Sequence, residues 1–193
     1  MERGVEDRNV LDSFAEKFCG IVESHARYIV VSGFVAISHG RRRTTEDIDM
    51  IIEKMSKEDF LKLHRDLLRN GFHCMQSSSE EEVYEYLKNK VSVRYTNNKE
   101  FFPPEMEVKF VKDEIDGLQI RTRKKLKFTG LDIWFSSIEM NIAFKEEYLG
   151  SDKDFEDAKH LRIIYKDELD VGEIAKIKKM IKERKKNEGQ NAR

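Results

Sequence analysis

With only two cysteines, and no Cys or His set at zinc-ligand spacing, the sequence holds neither a disulfide framework nor a structural zinc motif. Cys19 and Cys74 each sit among apolar neighbours and read as buried thiols. Long apolar runs are also missing. The longest, Tyr28 to Ile37, is interrupted by Ser32 and Gly33 and is about half the ~20 residues that a membrane-spanning helix needs. No signal-peptide pattern opens the chain, whose first residues, Met-Glu-Arg-Gly-Val-Glu-Asp-Arg, alternate in charge. The expectation is a cytoplasmic protein with no membrane partner. An excess of one charge sign is lacking too. The 36 Lys and Arg against 37 Asp and Glu leave a net charge of -1, so no global field draws the chain to nucleic acid or anionic lipid, and polyanion binding has to be local.

What is present is material for a core. Leu, Ile, Val and Phe make up 52 of 193 residues, 27%, above the roughly 20% below which disorder is the default. That length is one domain, or one domain with an appendage. Leu11, Phe14, Phe18, Ile21 and Val22 recur at helical steps and predict an amphipathic helix ending near His25. Tyr28 to Val31 reads as a buried strand stopped by Ser32-Gly33, with a brief helix over Phe34 to Ser38. The segment Glu46 to Ile52 alternates acidic and apolar residues before turning wholly apolar, as in a strand entering a core. Ser56 caps a crossover helix that Asn70-Gly71 ends. Further strands are expected at Phe72 to Gln76, Val91 to Thr96 and Met106 to Val111, with a helix over Ser79 to Lys88 between the first two. Ile120 to Phe135 reads as short strands. Three helices then follow, over Ser136 to Leu149, from Ser151 to about Tyr165, and over Val171 to Lys186. The expected fold class is α/β (α+β): a head over 1–135 with an N-terminal helix, C-terminal helices over 136–186 packed on it, and a frayed tail over 187–193.

One constellation carries chemistry. A strand ending in Ser32-Gly33 is followed, after a linking segment, by a strand bearing Asp47-Ile48-Asp49. Carboxylates at i and i+2 of a strand lie about 6.5–7 Å apart on one face and suit Mg²⁺, which prefers a few carboxylates plus water and substrate phosphates. A third carboxylate on a neighbouring strand completes such a site. Glu107 is the candidate, because Met106, Val108 and Phe110 point to the opposite face of its strand.

Val31-Ser32-Gly33 followed by Asp47-Ile48-Asp49 resembles the signature of the DNA polymerase β-like nucleotidyltransferases: an apolar strand, Gly-Gly or Gly-Ser, a spacer, then acidic-apolar-acidic. The order here is Ser-Gly. The stretch from Ser32 to Asp49 is especially similar to small stand-alone prokaryotic members, including toxin-antitoxin nucleotidyltransferases. Ile138 to Lys145 and Gly150 to Ala158 look like the C-terminal helices of that group, so the resemblance covers roughly Tyr28 to Leu161. It implies a mixed twisted sheet flanked by helices, and a Mg²⁺-dependent transferase that moves a nucleoside monophosphate from ATP or another NTP to an acceptor hydroxyl. Two Mg²⁺ ions, or Mn²⁺ in their place, would be held by Asp47, Asp49 and Glu107, while Ser32, Gly33, Arg43 and Lys145 would bind the triphosphate. The third carboxylate is usually Asp in that family, and Glu107 departs from it. The acceptor, an RNA end, a protein side chain or a small molecule, is not specified by these motifs.

Other readings stay open beside this one. A non-catalytic relative that binds nucleotide, RNA or a protein, as an antitoxin-like or regulatory module, would retain the same fold. Arg41-Arg42-Arg43 either neutralises phosphates or solvates a loop, and Lys145 either meets phosphates or is a solvated helix residue. The lysines of the last helix read as solubilising. Lys153, Asp154 and Asp157 read as local i,i+3 or i,i+4 helix pairs rather than a site. The histidines show neither ligand spacing nor a nucleophile partner.

Overall fold

The computed structural model describes residues 10–42, 47–98 and 103–191, with side chains described up to 187. The described residues hold eight helices, α1 Val10–Glu23, α2 Gly33–Ser38, α3 Lys57–Arg69, α4 Glu80–Lys88, α5 Glu114–Arg121, α6 Ile138–Phe144, α7 Asp152–Ile164 and α8 Val171–Asn191. They also hold five strands, β1 Tyr28–Val31, β2 Asp47–Ile52, β3 His73–Cys74, β4 Val93–Thr96 and β5 Glu105–Phe110, in one mixed sheet of order β1-β2-β5-β4-β3. Only β2 and β5 run parallel; the other three neighbouring pairs are antiparallel. The mixed α/β class read from the sequence is the one observed. The chain divides into two compact units, Met1–Ser136 and Ser137–Arg193. Among the described residues no helix is long and apolar enough to cross a membrane.

In the first unit, alternation along the strands sorts the side chains. Tyr28, Val30, Ile48, Met50, Ile52, Val93, Tyr95, Met106 and Val108 are almost completely buried on one side of the sheet. Helix α1 adds Phe14 and Phe18, whose rings meet Phe72 edge-on at 5.5 and 5.0 Å, and Phe18 also lies 5.6 Å from Tyr95. Aromatic edges packed in this way add about 0.5–1.5 kcal/mol per pair beyond area burial. His64 on α3 is buried, with Nδ1 2.7 Å from the Tyr95 hydroxyl. Burial holds its imidazole below the usual histidine range. The opposite side of the sheet is apolar at one end only, where Ile29 and Ile51 pack on Ile120 of α5, with Val31 and Val111 against them.

Two expectations need correcting here. The segment from Ile120 to Phe135 is not a set of strands. Helix α5 precedes and enters it, capped by Asp113, whose Oδ1 accepts from the amides of Ile115 and Asp116. A 3-10 turn, Lys127–Thr129, follows, and pairing reduces to isolated bridges of Phe135 with Val30 and Lys124. With Asp116 and Gln119 buried in an eight-residue helix, the apolar stripe is too thin to read, and contact with Ile29 and Ile51 supplies what periodicity does not. Cys74 is also no core thiol: it is half-buried on the two-residue edge strand, whereas Cys19 is fully buried.

The second unit is helical. The helix expected through Leu149 breaks at Lys145, where a π-helical turn, Lys145–Leu149, takes over and Gly150 closes it at φ 70°. Ser151 and Asp154 form a capping box at the start of α7. The wide turn directs Glu146 to Arg162 and Lys178, and Glu147 to Lys182. Lys185 donates to the Glu147 and Tyr148 carbonyls. Several lysines of α8 are therefore packing partners of the π turn, and the helix continues to Asn191, beyond the expected end near 186.

Lys145 is not solvated. It is 1% exposed, with Nζ 2.7 Å from Asp157 Oδ2 and 3.7 Å from Asp154 Oδ1. Removing one member of a buried pair leaves the other charge without compensation. Lys145→Ala is expected to lower the unfolding free energy by about 3–5 kcal/mol, and Lys145→Met/Asp157→Leu to recover most of that loss; urea melts of the two variants measure the difference. His64 generates a pH dependence. Its folded pKa lies below the unfolded one, so on acidification the unfolded chain takes up the proton first. Stability is thus unaffected above the ordinary histidine range and falls as pH drops below about 6.5; the component of that slope missing from His64→Gln in parallel melts is the expected signature.

Candidate active site

The site is assembled from the turn after β1 and from three adjacent strands. β1 ends at Val31, and α2 begins two residues later. Ser32 makes the reversal at φ 68°, ψ -136°, on the left-handed side, where a residue with a Cβ is strained by about 1–3 kcal/mol. Glycine would adopt this backbone more cheaply, so the Ser-Gly order has a structural cost at this position. The Ser32 side chain is near enough to the Asp49 carboxylate to favour its ionised form.

Asp47 and Asp49 lie on the side of β2 opposite Ile48 and Met50, as the alternation required. The parallel register sets Asp47 against Glu105 and Asp49 against Glu107. The third strand, β4, sets Arg94 against Glu107. The Arg94 guanidinium reaches Glu107 at 2.8 Å and Glu105 at 3.6 Å, and Lys109 Nζ is 3.8 Å from Asp49 Oδ1. Four carboxylates and two cations thus share this half of the face. Burial pushes the Asp49 carboxyl above the usual carboxylate range, with Glu107 and Asp47 adding to the rise and Lys109 and Ser32 opposing it.

The candidate residues fall into three groups. Asp47, Asp49 and Glu107 lie in register on adjacent strands, with Ser32 and Gly33 at the turn beside Asp49's strand. Lys145 lies in the helical unit, in its ion pair with Asp157. Arg43 lies outside the described residues. Sequence reasoning passed over Glu105, Arg94 and Lys109, although the i, i+2 rule that pairs Asp47 with Asp49 also pairs Glu105 with Glu107 and Lys109.

The donors suit a hard divalent cation by type, since carboxylate oxygens are what Mg²⁺ takes. Positive charge already stands against them, in Lys109 at Asp49 and Arg94 at Glu107. In this arrangement no three His, Cys, Asp or Glu among the described residues converge closely enough to hold a metal ion.

Two solved structures share this fold over most of their length. The chain is similar to an antigenic nucleotidyltransferase-like protein from Paracoccidioides brasiliensis, at TM-score 0.52 and 14% identity over 93% of this chain and 90% of that one. It is equally similar to the antibiotic-resistance factor ANT(2'')-Ia, at TM-score 0.52 and 12% identity over 94% of this chain and 98% of that one. The chain has a nucleotidyltransferase fold. No protein-family model matches it, and no curated protein sequence does.

Asp49 yields a test of the site's electrostatics. Because its folded pKa is raised, the folded chain binds more protons than the unfolded one between the two pKa values, and stability falls as pH rises through that window. Asp49→Asn abolishes the ionisation. In chelator-treated buffer it is expected to raise Tm at pH 7 and to leave Tm unchanged near pH 3; thermal scans at both values check the sign.

Proposed function

We propose that this protein is a Mg²⁺-dependent nucleotidyltransferase that moves a nucleoside monophosphate from an NTP, ATP included, to an acceptor hydroxyl with release of pyrophosphate. The observation that supports it most directly is the register of β2 on β5, which sets Asp47 and Asp49 against Glu105 and Glu107 beside the Ser32-Gly33 turn. In the reaction the acceptor oxygen attacks the α-phosphorus, the new O–P bond forms as the bond to the bridging oxygen breaks, and pyrophosphate departs. Asp47, Asp49 and Glu107 would hold the divalent ions, Mg²⁺ or Mn²⁺, which supply charge neutralisation and acidify the attacking hydroxyl. Once free of Arg94, Glu107 accepts the proton that this hydroxyl loses. Ser32 and Gly33 let backbone approach the phosphates closely, and Arg43 would supply positive charge to them, while Lys145, buried on Asp157, serves the helical unit. The rest is positioning. The reading places the protein in the cytoplasm, where NTPs and Mg²⁺ are available.

A second reading is a non-catalytic relative that binds nucleotide, RNA or a protein as a regulatory or antitoxin-like module. Arg94 favours it, because it already holds both Glu105 and Glu107. The two readings separate when pyrophosphate release is followed with each NTP and Mg²⁺ or Mn²⁺, beside calorimetric titration of the NTP. Transfer requires NTP binding and slow release by the wild type, both lost in Asp47→Asn/Asp49→Asn. NTP binding with no release under either metal supports the second reading, and no NTP binding defeats both nucleotide readings.

A further inference from the structure

Among the described residues many charges are paired within the molecule: Arg65 on Glu80, Arg162 and Lys178 on Glu146, Lys182 on Glu147, Arg27 on Glu53. The segment from Arg121 to Lys127 departs from that pattern. Five of its seven residues, Arg121, Arg123, Lys124, Lys125 and Lys127, are cationic. All but the half-buried Arg123 are exposed. Lys125 pairs with Asp132, the one acid between Arg121 and Phe135. Arg121, Arg123 and Lys124 have no ion-pair partner among the described residues. One terminal nitrogen of Arg123, Nη1, is buried without a hydrogen-bond partner.

An aromatic platform holds these cations. The Arg123 guanidinium lies 4.5 Å from the centre of the Trp134 ring and Lys125 Nζ 5.1 Å from it, while the indole donates to Glu23 at 2.7 Å. Lys127 lies 5.1 Å over Phe128. Cation–π contacts of this kind fix long side chains that would otherwise lose rotamer freedom on meeting a ligand.

Backbone pairing ties this strip to the candidate site. Lys124 and Phe135 exchange both amide bonds at 2.9 Å, Trp134 O accepts from Val30 N at 2.8 Å, and Ser136 N donates to Val30 O at 3.2 Å. The strip therefore extends the sheet beyond the free edge of β1, and β1 leads into Ser32. Lys124, Phe135, Val30 and Met50 lie on successive neighbours, so three strand spacings of ~4.8 Å put the strip's backbone about 15 Å from the strand of Asp47 and Asp49.

We propose that Arg121–Lys127 with Trp134 is a docking strip for the phosphate backbone of single-stranded RNA. Its excess cations match a polyanion, and half-exposed aromatic rings among them are the pattern by which strand-binding surfaces track a backbone without reading its sequence. Against a chain of net charge -1, this is the local field that composition demands of any polyanion contact. Binding stands on the strip alone. That the bound strand presents its end hydroxyls to the carboxylates rests on the transferase reading, and a strand of ~4–16 nucleotides spans the distance.

Trp134 is the chain's single tryptophan, so its emission reports on this strip alone. Titration with a 12-nucleotide oligouridylate at 50 mM salt is expected to change it saturably, and log K should fall with log salt with a slope of about -3, some four phosphates at ~0.7 each. Arg121→Gln/Arg123→Gln/Lys124→Gln should weaken binding at least about tenfold and flatten the slope by about 2. Arg121→Gln/Lys124→Gln, which leaves the ring contacts untouched, should do so by about two-thirds of that slope change. Calorimetric Mg²⁺–NTP titration of the same variants should be unchanged. A failed transferase reading shows as absent NTP binding with oligouridylate binding intact. Overturning results for the strip are no emission change in the wild type, equal affinity in the variants, or capture of phosphatidylserine vesicles in place of oligouridylate.

Discussion

The parallel pairing of β2 with β5 in one register is the constraint on which the candidate site depends. A slip of one residue would turn Asp47, Asp49, Glu105 and Glu107 into the apolar side and put Met50, Ile52 and Val108 in water. The core opposing that slip is the one that stabilises the unit: Ile48, Met50 and Ile52 on β2, Met106, Val108 and Phe110 on β5, closed by the aromatic rings of α1 and α3. The positions of the carboxylates follow from packing on the far face of the sheet.

On the charged face the balance runs the other way. Burial disfavours the ionised Asp49, and the neighbouring carboxylates add to that penalty. Lys109 and Ser32 oppose that rise, Ser32 from a backbone conformation that is itself strained, and Arg94 neutralises Glu107 beside it. Strain and buried like charge in one place are what a fold tolerates where the geometry is used. The apolar seal of Ile29, Ile51 and Ile120 begins directly beyond these groups and confines the polar part of the face to one end of the strands.

The helical unit solves a separate problem. A π turn at Lys145 widens the helix and turns the lysine inward to Asp157, while Glu146 and Glu147 receive cations from α7 and α8. A charge that looks surplus on a helical wheel becomes internal because the helix is not regular there. Several lysines of α8 are held in turn by this acidic turn, whereas Arg121, Arg123 and Lys124 have no ion-pair partner among the described residues.

Much of the fold was legible in the sequence, because strand alternation and helix caps are local. Ser32-Gly33, Asp47 to Ile52, Ser56, Ser79 and Ser151 marked turns, strands and caps where they are found. The resemblance of the Ser-Gly and Asp-Ile-Asp pair led to the nucleotidyltransferase fold. Helix α5 was not legible, since its one strong core contact is with strands far away in the chain, and the π turn was not, since nothing in a helical period announces an extra residue per turn. Arg94 and Glu105 escaped notice for the same reason: their significance lies in a strand order that the sequence does not state. By itself the sequence determined which residues alternate, cap and turn, and so which carboxylates can share a face. Only the tertiary structure decided that β5 lies parallel beside β2, that Arg94 meets Glu107 and that Lys145 is buried, because these depend on contacts between segments whose pairing is set by the whole core.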